Sequence, residues 1–290
     1  MSNYLTKKII DFSNLVKFSH TIFAMPFALV GFVLGLRDSG GSFSIQSLLL
    51  VLLCMVSARN VAMSFNRISD RNIDKLNPRT ASREIPSEVV KLRAAVWFLI
   101  INSLIFIVST YFINSLCFYL SPVALAVILG YSFTKRFTWF CHLILGLGLA
   151  LAPIGAYLAV TGKFEMAPVL FSLGVLCWVS GFDIIYALQD EDFDKENRLY
   201  SIPAWLGTRK ALLFSVVLHT VSILFFVFAG GVAHMGSIYF IGTTVFSVLI
   251  MLQHTKVSSK DLSKVNQVFF LFNGIASIVF ASFAICDLLS

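Results

Sequence analysis

The chain has 290 residues, of which 58% are hydrophobic and only 13% charged, and its mean hydropathy is +0.85. These values exclude an ordinary soluble domain and predict an all-α integral membrane protein, because a chain crossing lipid must satisfy its backbone internally. A net charge of +7 would suggest nucleic acid in a soluble protein, but here Lys and Arg fall in short loops between apolar runs, so no nucleic-acid partner is expected.

In chain order, residues 1–17 mix Lys7, Lys8 and Asp11 with Leu5, Ile9, Ile10, Phe12 and Val16. This predicts an interfacial amphipathic arm; the small-residue cleavage site of a signal peptide is missing. A spanning helix needs ~20 apolar residues. About nine such segments follow, near 19–36, 45–65, 93–112, 115–132, 138–160, 165–187, 209–230, 234–253 and 266–288. They predict one helical bundle around a central cavity, a single membrane domain over residues 1–290. The five cysteines lack CxxC spacing and read as small core residues. His20, His142, His219, His234 and His254 show no mutual ligand spacing and read as packed or interfacial.

Lys and Arg divide 19 against 2 between the two sides of these segments, with Arg59 inside a span. The side rich in basic residues carries the N-terminus and two acidic blocks, and should face the cytoplasm, with the C-terminus outside. The expected location is a bacterial inner membrane, with lipid around the bundle.

The acidic blocks interrupt the apolar chain at the ends of two spans. The first contains Asn66, Asp70 and Asp74; the second contains Asp183, Asp190 and Asp194. At helical spacings of four and seven, each set forms one polar stripe, and Arg59 falls on the first stripe at a deeper level. Asp70 and Asp74 recur as Asp190 and Asp194 after 120 residues, which suggests two similar halves enclosing one cavity. A lone acidic turn in a loop is ordinarily just solvated; two matched turns at the mouths of two spans point to a ligand. Carboxylate and amide oxygens without His or Cys select a hard cation such as Mg²⁺, which takes few protein ligands when phosphates complete its shell. The interleaved Arg67, Arg71, Arg79 and Arg198 would meet the remaining phosphate charge. A diphosphate on an apolar tail fits such a site, and the 29 phenylalanines could shield an allylic cation.

The run NRISDRNIDKLNPRTASR, Asn66 to Arg83, resembles the first signature of the UbiA-type intramembrane aromatic prenyltransferases. The run FDIIYALQDEDFDKENRLYSIPAWLG, Phe182 to Gly207, resembles the second. Ser19 to Gly31, Ala58-Arg59 and Tyr131 to Arg136 resemble the 4-hydroxybenzoate polyprenyltransferase group within that family. The resemblance covers essentially the whole chain. It implies transfer of a polyprenyl group from polyprenyl diphosphate to an aromatic hydroxy acid, in respiratory quinone biosynthesis. It implies that Asn66, Asp70, Asp74, Asp190 and Asp194 hold Mg²⁺ and diphosphate. Arg79 and Arg198 would lie near the diphosphate, and Lys135 and Arg136 near the acceptor or the diphosphate. Arg67 stands where many members carry Asp. The form MSFNRISDRNID resembles a subgroup associated with a dihydroxynaphthoate acceptor for menaquinone, so two acceptors stand. Asp183 and Tyr186 lie within a turn of the second stripe, and either could orient the phenol or take its ring proton.

Two other readings are weaker. A CDP-alcohol phosphotransferase would need a DGxxAR element before its aspartates, and none precedes Asp70 or Asp190. An ion-coupled transporter would place its acidic site near the bilayer midplane rather than at one rim.

Overall fold

The computed structural model describes residues 2–17, 21, 23–258 and 261–290; His20, Lys260, and Ser19 and Ile22 of the first expected segment lie outside the described residues, as do the side chains of residues 2–5, 7 and 9. Thirteen α-helices account for nearly all of this: α1 (Ser2–Leu15), α2 (Met25–Ser39), α3 (Ile45–Ser69), α4 (Arg71–Leu76), α5 (Leu92–Ile113), α6 (Ser115–Thr134), α7 (Cys141–Thr161), α8 (Met166–Ala187), α9 (Glu191–Glu196), α10 (Ile202–Leu206), α11 (Thr208–Val232), α12 (Ser237–Lys256) and α13 (Val265–Leu289). Among the described residues, eight helices are long and apolar enough to cross a membrane: α3, α5, α6, α7, α8 with its continuation through α9, α11, α12 and α13. The fifteen-residue α2 corresponds to the first expected segment. Large apolar side chains such as Trp97, Leu104, Phe112, Tyr119 and Phe228 remain exposed on the outer faces of α5, α6 and α11, where lipid rather than water is the matching solvent.

The turns follow local chemistry. Gly40 and Gly162 close α2 and α7 in the left-handed region, at φ 60° and 65°, which only glycine enters without steric cost. Ser44 caps α3 by accepting the Ser47 N–H at 3.3 Å. Asn114 caps α6 through the Cys117 N–H at 2.8 Å and donates to the Leu158 carbonyl at 2.9 Å, tying the end of α5 to the end of α7.

One half of the bundle, α2, α8 and α11–α13, is packed around interlocked aromatic rings. Phe27 lies 5.2 Å from Trp178, 5.5 Å from Phe226 and 5.3 Å from Phe280. Close approach is made possible by small residues: the Phe226 ring occupies the place where a Cβ on Gly174 would sit, and His219 does the same at Gly181. Many of the phenylalanines expected to shield a cation are thus used in packing. The other half, α3, α5 and α6, is more polar inside and carries the first acidic block.

The stripe through Asn66, Asp70 and Asp74 is not one uninterrupted helix, as the spacing alone suggested. Asp70 joins α3 to α4 at φ −92°, ψ 5°, while the Asp70 N–H still reaches the Asn66 carbonyl at 2.9 Å and Asp74 reaches Asp70 at 2.7 Å. The second stripe is likewise broken by a 3₁₀ turn at Leu188–Asp190 between α8 and α9. Tighter winding there re-aims Asp190 relative to Asp183.

Candidate active site

The loop after α4 folds back over the first acidic block because Asn77 organises it. Its side-chain oxygen accepts the Arg79 N–H at 2.9 Å across Pro78, and the Thr80 hydroxyl donates to the Asp74 carbonyl at 3.0 Å. Farther along, Ile85 and Val90 pack with Leu15 of α1 and Ala95 of α5, so the arm at the N-terminus holds the loop down.

This fold-back joins the two blocks. Arg79 Nε donates to Asp190 Oδ1 at 2.9 Å, its Nη2 donates to Asp190 Oδ2, and Asn77 Nδ2 donates to Asp190 Oδ1 at 2.9 Å. The Arg79 Nη1 donates to the Tyr186 hydroxyl at 3.1 Å, and the guanidinium lies 5.2 Å from the centre of that ring. The first block is held similarly. Asn66 Nδ2 donates to Asp70 Oδ2 at 3.0 Å, and Arg136 Nη2 donates to Asp70 Oδ1 at 3.1 Å and to Ser69 at 2.8 Å. Arg83 Nη1 donates to Asp74 Oδ1 at 2.7 Å. Lys135 Nζ stands 3.9 Å from Asp194 Oδ1. Each aspartate of the two spaced pairs therefore faces its own cation.

Burial raises the Asp70 carboxyl above the usual carboxylate range, against the opposing pull of Lys135 and Arg136. Burial would lower the Arg79 guanidinium, but the hydrogen bonds and charge of Asp190, with Tyr186, outweigh it and raise it.

Several polar atoms remain unmet. Asp74 Oδ2 and Asp194 Oδ1 are buried with no hydrogen-bond donor, and so are the Nε atoms of Arg59 and Arg67 and the hydroxyls of Ser64 and Ser132. Arg67 is only 4% exposed. Tyr131 of α6 lies within electrostatic reach of both Arg59 and Arg67. Unsatisfied buried groups of this kind are rare and costly unless a ligand meets them. Orphaned carboxylate oxygens fit a hard cation, and orphaned guanidinium and hydroxyl donors fit an anion. Among the described residues, no three His, Cys, Asp or Glu side chains are gathered closely enough to hold a metal by themselves.

Two sequence-predicted residues stand apart from this cluster. Arg198 is exposed, at φ 54°, and its side chain forms no hydrogen bond or ion pair among the described residues. Asp183 lies a turn deeper and is engaged by His142 at 2.7 Å. The sequence reading missed Asn77, Arg83, Ser69 and His142, whose partners lie up to 113 positions away.

The model of the UbiA prenyltransferase family matches residues 24–275. The chain belongs to that family. It is a multi-pass integral membrane prenyltransferase. This UbiA-family chain is similar to the 4-hydroxybenzoate octaprenyltransferase of Francisella tularensis subsp. novicida (strain U112), 29% identical over 213 residues, which cover 73% of this chain and 75% of that protein. The protein of the same name from Vesicomyosocius okutanii subsp. Calyptogena okutanii (strain HA) is 27% identical over 216 residues, 74% of this chain and 78% of its own. Among solved structures, the UbiA homolog from Aeropyrum pernix K1 superposes with a TM-score of 0.83 at 33% identity, covering 92% of this chain and 98% of that one. A UbiA homolog from Archaeoglobus fulgidus, solved with GPP and Mg²⁺, shares the fold with a TM-score of 0.73 at 18% identity, over 97% of this chain and all (100%) of that chain.

Proposed function

We propose that this prenyltransferase moves a polyprenyl group from its diphosphate to the ring carbon ortho to the hydroxyl of 4-hydroxybenzoate, a step of quinone biosynthesis. The observation that carries the reading is the junction of the two acidic blocks, where one carboxylate oxygen each of Asp74 and Asp194 and the Nε of Arg67 are buried without partners. The acceptor named for the relatives in Francisella and Vesicomyosocius supports the choice of ring.

Asn66, Asp70, Asp74, Asp190 and Asp194 would hold Mg²⁺, which when bound supplies Lewis-acid neutralisation of the departing diphosphate. Arg67 and Arg79 take phosphate oxygens, assisted by Lys135 and Arg136 from the loop between α6 and α7. Arg59, with Tyr131 nearby, offers a second anchor for an anionic group deeper in the bundle. The folded-back loop, sealed by Ile85 and Val90, keeps water from the reacting carbon. The allylic C–O bond breaks with its electron pair leaving on diphosphate. The ring carbon then supplies two π electrons to the new C–C bond and loses its proton, so the products are prenylated acceptor, diphosphate and one proton. The basic loops support a site on the cytoplasmic side of a bacterial inner membrane, where both substrates would reach it.

The test is incubation of membranes containing the protein with labelled polyprenyl diphosphate, Mg²⁺ and each acceptor separately. Prenylated 4-hydroxybenzoate is the expected product. Product from dihydroxynaphthoate alone would move the enzyme to menaquinone synthesis, and diphosphate release with neither acceptor would overturn the reading.

A further inference from the structure

Two side chains of α8, Asp183 and Tyr186, lie where the acceptor's phenol could be handled. The Tyr186 hydroxyl already accepts from Arg79 at 3.1 Å. Asp183 is different: one carboxylate oxygen, Oδ2, meets His142 Nδ1 at 2.7 Å, while Oδ1 accepts no hydrogen bond among the described residues. The Asp183 side chain keeps 25% of its surface open, against 4% for His142. It sits one turn before Tyr186 on α8, on the same side of that helix.

The imidazole is held from two sides, since its Nε2 accepts the Ile202 N–H at 3.3 Å while its Nδ1 meets Asp183. A nitrogen that accepts an N–H carries no proton, so the tautomer is fixed: Nδ1 bears the hydrogen and donates it to Asp183. Ile202 opens α10, whose N-terminus is capped by Ser201 at 3.3 Å from the Ala204 N–H. The preceding strap is tied to the α6–α7 loop by the Tyr200 N–H, 2.7 Å from the Lys135 carbonyl. A mere spacer between α7 and α8 would need none of this: a buried apolar pair would pack there without desolvating a carboxylate.

We propose that His142 is a positioning residue, whose Nδ1–H holds the Asp183 carboxylate aimed so that the free oxygen accepts the ring hydroxyl of the aromatic acceptor. The inference rests on the acceptor being a phenol, as in the function proposed above. A hydroxyl donating to a fixed carboxylate gains electron density that the ring passes to its ortho carbon, the atom that attacks. Through the Ile202 N–H the imidazole is itself held by the strap behind the second acidic block, which fixes the aim of Asp183.

The test uses the full-length enzyme in lipid nanodiscs, with kcat and KM read for both substrates. The variants are His142→Leu, which lacks the donor, His142→Asn, which keeps a donor near the Nδ1 position, and His142→Gln, whose amide reaches past it. Leu and Gln should lower kcat about 10- to 100-fold, the usual loss when the outer partner of a functional side chain is removed. They should raise the acceptor KM and leave the prenyl diphosphate KM unchanged. Asn should recover most of the rate, and His142→Gln should cost nothing further in an Asp183→Asn background. Equal rates for wild type and Gln, equal deficits for Asn and Gln, or an undiminished Gln deficit on Asp183→Asn would each overturn the proposal. If His142→Leu does not fold, the Asn and Gln pair still decides. A wild type that prenylates no phenol removes the functional reading itself, whereas an active wild type with indifferent variants removes only this inference.

Discussion

Asp70, which we propose holds Mg²⁺, illustrates how such a residue can be a burden on the free protein. Its carboxyl is raised by burial even with Lys135 and Arg136 opposing, so the folded chain holds the Asp70 proton more tightly than the unfolded chain does. The stability contributed by this group is then fully present below the ordinary carboxylate value of ~3.9 and lost as pH rises through the folded value. Without Mg²⁺, Asp70→Asn should therefore melt at or above the wild-type temperature at neutral pH, with a smaller decline as pH is raised from acid. With Mg²⁺ the order should reverse. Metal at a hundredfold excess over its Kd stabilises the site by about 2.7 kcal/mol, and the Asn variant should gain far less. Thermal unfolding with and without Mg²⁺ checks both signs; a wild-type midpoint indifferent to Mg²⁺ would remove Asp70 from the metal set. The aspartates themselves were legible in the sequence, because carboxylates spaced by four at the ends of apolar runs are costly unless a ligand meets them. Their partners were not. Arg79 and Asp190 are 111 positions apart and His142 and Asp183 are 41 apart, and only the fold-back of the loop after α4 and the packing of α7 with α8 bring such pairs together.

At the scale of elements, hydropathy located the spans to within a few residues, as 45–65 against Ile45–Ser69 and 209–230 against Thr208–Val232. Twenty apolar residues in lipid have no alternative to a helix. The short α4, α9 and α10 left no comparable trace, since pieces of five or six residues are set by caps and tertiary bonds rather than by periodicity. Contact between spans depends on shape more than on hydropathy. Gly31 of α2 faces the backbone of α7 so closely that an added Cβ would strike the Pro153 carbonyl, whereas Gly155, also on α7, faces open space. Gly31→Ala should destabilise the protein by about 1–3 kcal/mol, the usual cost of overpacking. Gly155→Ala should be neutral or stabilising by up to ~1 kcal/mol through helix propensity. Thermal unfolding in one detergent compares the pair, and equal shifts would show that α2 does not dock on α7 through this contact.

The whole molecule has two rims, and its hydrogen bonds sort the helix ends between them without reference to charge. Asn114 joins the ends of α5 and α7, Tyr157 donates to Asp38 at 3.1 Å, and Asp287 accepts the Gly236 N–H at 2.7 Å, so the ends of α2, α5, α7, α11 and α13 share one rim. Arg136 with Ser69, Tyr200 with Lys135 and Asn77 with Asp190 gather the ends of α3, α6 and α8 on the other. This partition, made by geometry alone, agrees with the 19-against-2 division of Lys and Arg. The rim with the acidic blocks is the basic one, and positive charge resists translocation across the membrane. Single cysteines at Ser39 and Ser290, placed in a background lacking the five native ones, should therefore react with an impermeant thiol reagent on intact cells. Cysteines at Ser82 and Lys195, both exposed positions of the basic rim, should react only after permeabilisation. The reverse pattern would put the diphosphate site outside, away from any cytoplasmic supply of its substrate. Mixed labelling within one rim would break the two-rim arrangement itself, because residues joined by these hydrogen bonds cannot lie on opposite sides of a bilayer whose hydrocarbon core is ~30 Å thick.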